Sequence, residues 1–292
     1  MELKNIDSTQ FEKLLLETLI ELGYIKESGK RQIDTEVMDT CDITSAEIRM
    51  QNLLDHPMDS QGLDRMRQRT TARIGVGRVG ARLKTRTMLT LRADHAAARD
   101  AVFTDVDPGL LERLKLFSVQ SRCKDKNEYL TRPDQGRLLC DEAVEEIRKK
   151  CISNPDIQIV VSEGLSSTAI NANLENILPA IQNGLAGREV CVGTPFYIRM
   201  GRVRVMDHVA EILGSKVVCI LIGERPGLAT AESMSAYIAY NARVGMSESR
   251  RTVVSNIHKD GIPAVEAGAY IADLLVTILN EKASGVELKR GD

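Results

Sequence analysis

The chain predicts an α/β fold: a doubly wound, mostly parallel sheet, preceded by a smaller helical region and an N-terminal helix on a linker. Two observations predict it. Residues 217–222, Val-Val-Cys-Ile-Leu-Ile, form an uncharged apolar run suited to a strand buried on both faces, the habit of parallel sheets. From about residue 133 onward, apolar runs alternate with helical patterns, which calls for right-handed crossovers between parallel strands. A third observation bears on function. The run breaks into Gly223-Glu224-Arg225-Pro226-Gly227-Leu228, which gathers backbone amides and a carboxylate at a strand's carboxyl end. Open α/β sheets bind ligands at that edge. A plain turn uses the same residue types.

The elements follow in order. Thr9 to Glu12 has capping-box spacing, Gly23 is placed to end a helix, and Phe11, Leu14, Leu15, Leu19 and Leu22 make one apolar face. This helix fills residues 1–25, and the polar stretch 26–44 reads as a linker. A helix tethered in this way either packs on the body or docks on a partner. Residues 45–132 are expected to be helical, with a second capping box at Thr44 to Glu47 and a long helical pattern over 83–102. Between Arg65 and Arg92 nine basic residues accumulate without an acid, the mark of a solvated basic face or of a surface for an anionic partner. Residues 133–292 form the α/β domain. Its expected helices cover 138–152, a stretch ending at 181, 205–213 with Gly214 as stop, and 264–282 with Pro263 at the start. Its expected strands are 157–161, 189–192 and 217–222, with a ligand edge made by the loops at Ser162, at 193–203 and at Gly223. The architecture is Rossmann-like.

Composition narrows the function. A net charge of −2 argues against a generic nucleic-acid binder, and the absence of Trp with 3% aromatics leaves little for stacking on bases. Six scattered cysteines without a CxxC pair read as reduced thiols of a soluble intracellular protein. Gly75-Val76-Gly77-Arg78-Val79-Gly80 spells GxGxxG, but Gln68 to Arg73 before it is no buried strand, so a flexible turn is expected in place of a dinucleotide site. Asn256-Ile257-His258-Lys259-Asp260-Gly261 is one substitution from the DxHxxG pattern of proteins that place a histidine on the cobalt of cobalamin. Asn in place of Asp cannot orient the imidazole as a carboxylate does, so His258 is expected to be a surface or capping histidine. No metal-ligand spacing joins His56, His95 and His208, and no GxSxG elbow supports a triad from Ser166, His258 and Asp260. A nicotinamide-dependent oxidoreductase and a nucleic-acid adaptor are the rival readings.

Three ordered blocks carry a family resemblance. They are Leu130-Thr131-Arg132-Pro133-Asp134 with Gly136-Arg137; Val192 to Phe196 with Arg199, Gly201-Arg202-Val203 and Glu211 to Gly214; and Gly223 to Leu228 with Ser255 to His258. From about Arg65 to the C-terminus the chain resembles the small (light) subunit of ethanolamine ammonia-lyase. The resemblance implies an adenosylcobalamin enzyme that converts ethanolamine to acetaldehyde and ammonia by radical chemistry housed in the large subunit. This chain would then help to enclose the cofactor, within a multimer of large–small pairs, and would hold no catalytic residue and no metal ligand of its own. The cobalt would carry the cofactor's own benzimidazole. The family's cofactor-contacting positions fall on Val203, Glu224 and Val253, the last in place of a customary Cys, while Glu163 stands where the family has Asp and is not counted as a contact. The resemblance further implies that the arginine-rich segment faces the large subunit. The N-terminal helix resembles those that target enzymes to bacterial microcompartments.

Overall fold

The computed structural model describes residues 48, 50–70 and 72–288. The chain divides between residues 43 and 44, and the described residues all belong to the second unit, 44–292. The N-terminal helix, the linker and the capping box at Thr44 lie outside the described residues.

The second unit is an α/β structure built on a six-stranded mixed sheet. Helix α1 (Ser60–Arg67) leads to a small hairpin of β1 (Arg78–Val79) and β2 (Arg82–Leu83), then to α2 (Thr85–Phe103) and α3 (Pro108–Arg113). The sheet collects β3 (Ser118–Gln120), β4 (Ile157–Ser162), β5 (Phe196–Arg199), β6 (Val217–Gly223), β7 (Met234–Tyr240) and β8 (Thr252–Ile257). Between them run α4 (Lys126–Thr131), α5 (Asp141–Lys150), α6 (Ser167–Leu185) and α7 (Val205–Leu213), and α8 (Ala264–Glu281) follows β8. The strand order is β3-β5-β4-β6-β7-β8. The three pairings from β3 to β6 are parallel, and β6–β7 and β7–β8 are antiparallel.

Buried strands at the centre explain the apolar runs. Every residue of β4 and β6 is buried, because helices cover both faces there. On the first face Ile159, Val161, Cys219 and Leu221 pack under α6 and α8 with Leu174, Ile177, Ile271 and Leu275. On the second face Val160, Ile198, Val218 and Ile220 pack under α5 and α7 with Ile147, Met206 and Val209. Helices α6 and α8 approach closely because Gly268 lies against Ala180 and Gly184 against Ala272, where a side chain would collide.

Several expectations hold in detail. Helix α7 ends at Gly214 in the left-handed region, φ +69°. Pro263 caps α8, which stops at Lys282 in the same region. The helical pattern over 83–102 becomes α2. Others are corrected. The stretch 189–192 is not a strand; Val192 makes one isolated bridge to Ile157, and the strand is Phe196–Arg199. The 193–203 segment therefore spans the sheet, with Gly193 at the amino edge, bonded to the Ile157 carbonyl, and only its last residues at the carboxyl edge. Strand β3 arises inside the segment read as helical, and β7 and β8 add the antiparallel half of the sheet.

Candidate functional site

The carboxyl ends of β4, β5 and β6 share one edge, and the chain leaves it through Ser162-Glu163-Gly164, Met200-Gly201-Arg202-Val203 and Gly223-Glu224. The first two exits are stitched together. Glu163 is 2% exposed; its Oε1 accepts from the Met200 amide at 2.7 Å and its Oε2 from the Tyr197 hydroxyl at 2.9 Å, with Lys126 Nζ at 3.5 Å. Ser162 Oγ accepts from the Gly201 amide at 3.1 Å. The Tyr129 hydroxyl on α4 reaches the Gly164 and Gly201 carbonyls at 2.7 and 3.2 Å. Arg202 lies over the Tyr129 ring at 4.1 Å and donates to its carbonyl, and Gly136 is seated so closely that a side chain would strike Arg202 and the Met200 carbonyl. These groups are consumed in shaping the edge. Glu163 points inward and offers nothing to a ligand.

Glu224 is different. It begins the long connection to β7, anchored by its own amide on the Ser233 carbonyl at 3.0 Å and, further along, by Asn173 on the Glu232 carbonyl at 2.8 Å. Its Oε1 accepts from the Tyr237 hydroxyl at 2.9 Å. Among the described residues Glu224 has no arginine partner, so the turn salt bridge that its position allows is not formed. Burial, and after it the charge of Glu224, pushes the Tyr237 phenol up to about 12, so the phenol is the proton donor at neutral pH.

Tyr237 stands directly across from Ile220 on β6 and from Val253 on β8. All three side chains project to the second face. There α7 covers the parallel strands, and Ala242 and Met246 from the segment after β7 tuck in beside it. Beyond them β8 presents Val253, 44% exposed, and exposed Ser255. Glu224 and Val253 thus flank one half-buried tyrosine. Val203 precedes α7 and packs, partly buried, on the same core. It is joined to β8 at one remove. Arg251, two residues before Val253, donates two bonds of 2.7 Å to Asp207 in the first turn of α7, and both side chains are almost fully buried. Arg251 also donates to Glu248 at 2.8 Å, and Glu248 pairs with Arg204.

The other motifs resolve into local structure. Gly75 to Gly80 leads into the β1–β2 hairpin, with Gly80 at its tip at φ +59°, and no strand precedes it among the described residues. His258 is not a surface group; it is 6% exposed. Its Nε2 meets Asn256 Oδ1 at 2.8 Å and its Nδ1 accepts from the Asp260 amide at 3.3 Å, so both ring nitrogens hold the turn after β8, where Asn256 has φ +62°. The turn folds the imidazole back onto Asn256 and the Asp260 amide, which keeps it out of solvent. Of the clustered arginines, Arg67 is buried and bonds the Met50 carbonyl and Asn52, Arg73 pairs with buried Asp94, and Arg86 bonds Gln51. Of the nine, Arg67 is buried and Arg73 and Lys84 are partly buried, while Arg65, Arg69, Arg78, Arg82, Arg86 and Arg92 remain exposed. No group of three or more His, Cys, Asp and Glu among the described residues could hold a metal ion. No described helix is long and apolar enough to cross a membrane.

Fold and face define a class: an α/β protein whose buried polar groups hold an open, partly apolar sheet face beside an oriented carboxylate. Comparison with known proteins gives the family. Residues 60–289 match the profile described as ethanolamine ammonia-lyase light chain (EutC). The chain is 50% identical over 290 residues to the ethanolamine ammonia-lyase small subunit of Clostridium tetani, covering 96% of this chain and 98% of that one. Its identity to the small subunit of Fusobacterium nucleatum is 47% over 292 residues, covering 99% and 98%; to that of Clostridium perfringens it is 52% over 266 residues, covering 91% and 90%. The chain belongs to the ethanolamine ammonia-lyase light-chain family, as a small subunit of that lyase.

Proposed function

We propose that this chain is the cofactor-enclosing subunit of an adenosylcobalamin-dependent ethanolamine ammonia-lyase, which forms acetaldehyde and ammonia from ethanolamine. The large subunit carries the substrate and the radical steps, and the two chains assemble as a multimer of pairs. The observation that carries this reading is the open face bearing Glu224 and Val253, in a chain whose family makes a small subunit. The residues present fit a corrinoid. Val253 and Val203 offer apolar contact to a ring edged with methyl groups, and Glu224 Oε2, which has no partner among the described residues, can accept from one of the ring's amide side chains. Both nitrogens of His258 are engaged in its turn, so this imidazole would hold that turn and not the cofactor.

When bound, adenosylcobalamin supplies a carbon-centred radical. This chain's own residues bind and orient: Val203 and Val253 exclude water from one side, and Glu224 fixes rotation in the plane of the face. The exposed Arg69, Arg82 and Arg92, with Met66 and Leu89, have the Arg and Met content of protein interfaces and suit the large subunit. The test is co-expression with the large subunit and assay of ethanolamine deamination. Activity is expected to require this chain, and activity that persists without it overturns the reading. In the same assay Glu224→Ala should raise the cofactor concentration for half-maximal rate about tenfold, the worth of one hydrogen bond to a charged group, and leave the saturated rate nearly unchanged.

The N-terminal 25 residues are proposed to target the enzyme to a bacterial microcompartment. Their deletion is expected to leave deamination intact and to release the enzyme from purified shells; unchanged encapsulation would refute the targeting role.

A further inference from the structure

Tyr237 was absent from the residues that sequence and family pointed to, yet it occupies the centre of the face. Its register partners, Ile220 and Val253, place it mid-row across three strands, and its ring is half-buried against the core of the second face. Its hydroxyl reaches Glu224 Oε1 at 2.9 Å, from a strand that runs opposite to β6. Glu224 stands at the start of a long connection, and a glutamate in such a place samples several rotamers. Fixing it before a ligand arrives removes an ordering cost from binding. With Oε1 occupied, the carboxylate is left with Oε2 as its free acceptor.

We propose that Tyr237 is a further residue of the cofactor site: its hydroxyl aims Glu224, and its ring forms the floor between Glu224 and Val253. The inference rests on the cobalamin reading given above. It separates two contributions, which Phe and Ala substitutions take apart. Tyr237→Phe keeps the floor and releases the carboxylate. Tyr237→Ala removes both.

The experiment is a double-mutant cycle on the complex of the full chain with its large subunit, reading adenosylcobalamin affinity by equilibrium dialysis and thermal unfolding in parallel. Tyr237→Phe should weaken binding about fivefold in the native background, the worth of an orienting hydrogen bond, and leave it unchanged when Glu224→Ala is already present. A purely structural tyrosine would weaken binding equally in both backgrounds, or would lower the melting temperature without touching affinity. Tyr237→Ala should weaken binding further even with Glu224→Ala; if it binds as that single variant does, the ring is not part of the floor. Equal losses for Tyr237→Phe in the two backgrounds, or no loss in the native one, overturn the aiming role. If the unaltered complex fails to bind the cofactor, the underlying reading falls, and Tyr237 is not the cause.

Discussion

Arg251→Ala is expected to destabilise the protein by about 3–5 kcal/mol, because it strands the buried carboxylate of Asp207 without its partner. The melting temperature should fall on the order of 10 °C, read by calorimetry or circular dichroism. Arg251→Lys should recover little of this, since an ammonium cannot make the paired bonds that the guanidinium gives Asp207, and Glu248 would lose one of its two arginine donors as well. Replacing both members, as in Asp207→Leu with Arg251→Met, should cost much less than the single change, because no charge is then left buried. A single variant as mild as the double one would show that Asp207 is not held as a charged group. The pair also joins the start of α7 to the start of β8, so the same variant should loosen Val203 relative to Val253.

Gly223→Ala carries the second large expected effect. A methyl group at this position would fall well inside contact distance of the Ser166 and Glu163 carbonyl oxygens, and Gly164, at φ +53°, faces the Gly223 carbonyl with as little room. The obstructing atoms are backbone, so no rotamer change relieves the clash, and the ends of β4 and β6 must part. The cost should approach about 3 kcal/mol, the upper range for overpacking. Urea denaturation would measure it, and a midpoint equal to the unaltered protein would show that the crossing of these two exits is looser than described. Because Glu224 follows immediately, cofactor affinity should drop along with stability.

Which parts of this were legible in sequence follows from the physics of each element. Strands β4 and β6 announce themselves, since burial on both faces removes every charge from six consecutive positions. Helix α7 was readable to its last residue through Gly214, and α8 through Pro263. Strand β5 was misplaced because Phe196 to Arg199 is short and sits between Pro195 and Gly201, while the apolar Val190 and Val192 nearby look more strand-like. Strand β3, three residues long, is below the length at which periodicity exists. Strands β7 and β8 mix Ser, Ala and Asn with their apolar residues because their second face is only partly covered, so the signal of a central strand is missing. The proposed site divides along the same line. Glu224 was visible at the end of a strong strand. Val203 and Val253 came from family likeness, with no local pattern to mark them. Tyr237 carries no signal in the sequence, because its contact with Glu224 is made from a neighbouring antiparallel strand that no apolar run marks.

The change of direction at β7 has a consequence for how this chain holds a guest. Parallel strands demand crossover helices, which cover both faces of the sheet, whereas β7 and β8 turn back beside β6 by antiparallel pairing and carry a helix, α8, on the first face. The result is a shelf. A shelf touches one side of a broad, flat molecule and leaves the other side wet, short of the enclosure that tight small-molecule sites provide. On the cobalamin reading, tenancy on it should be brief until a second protein closes from above, which would make assembly with that protein and retention of the guest a single event.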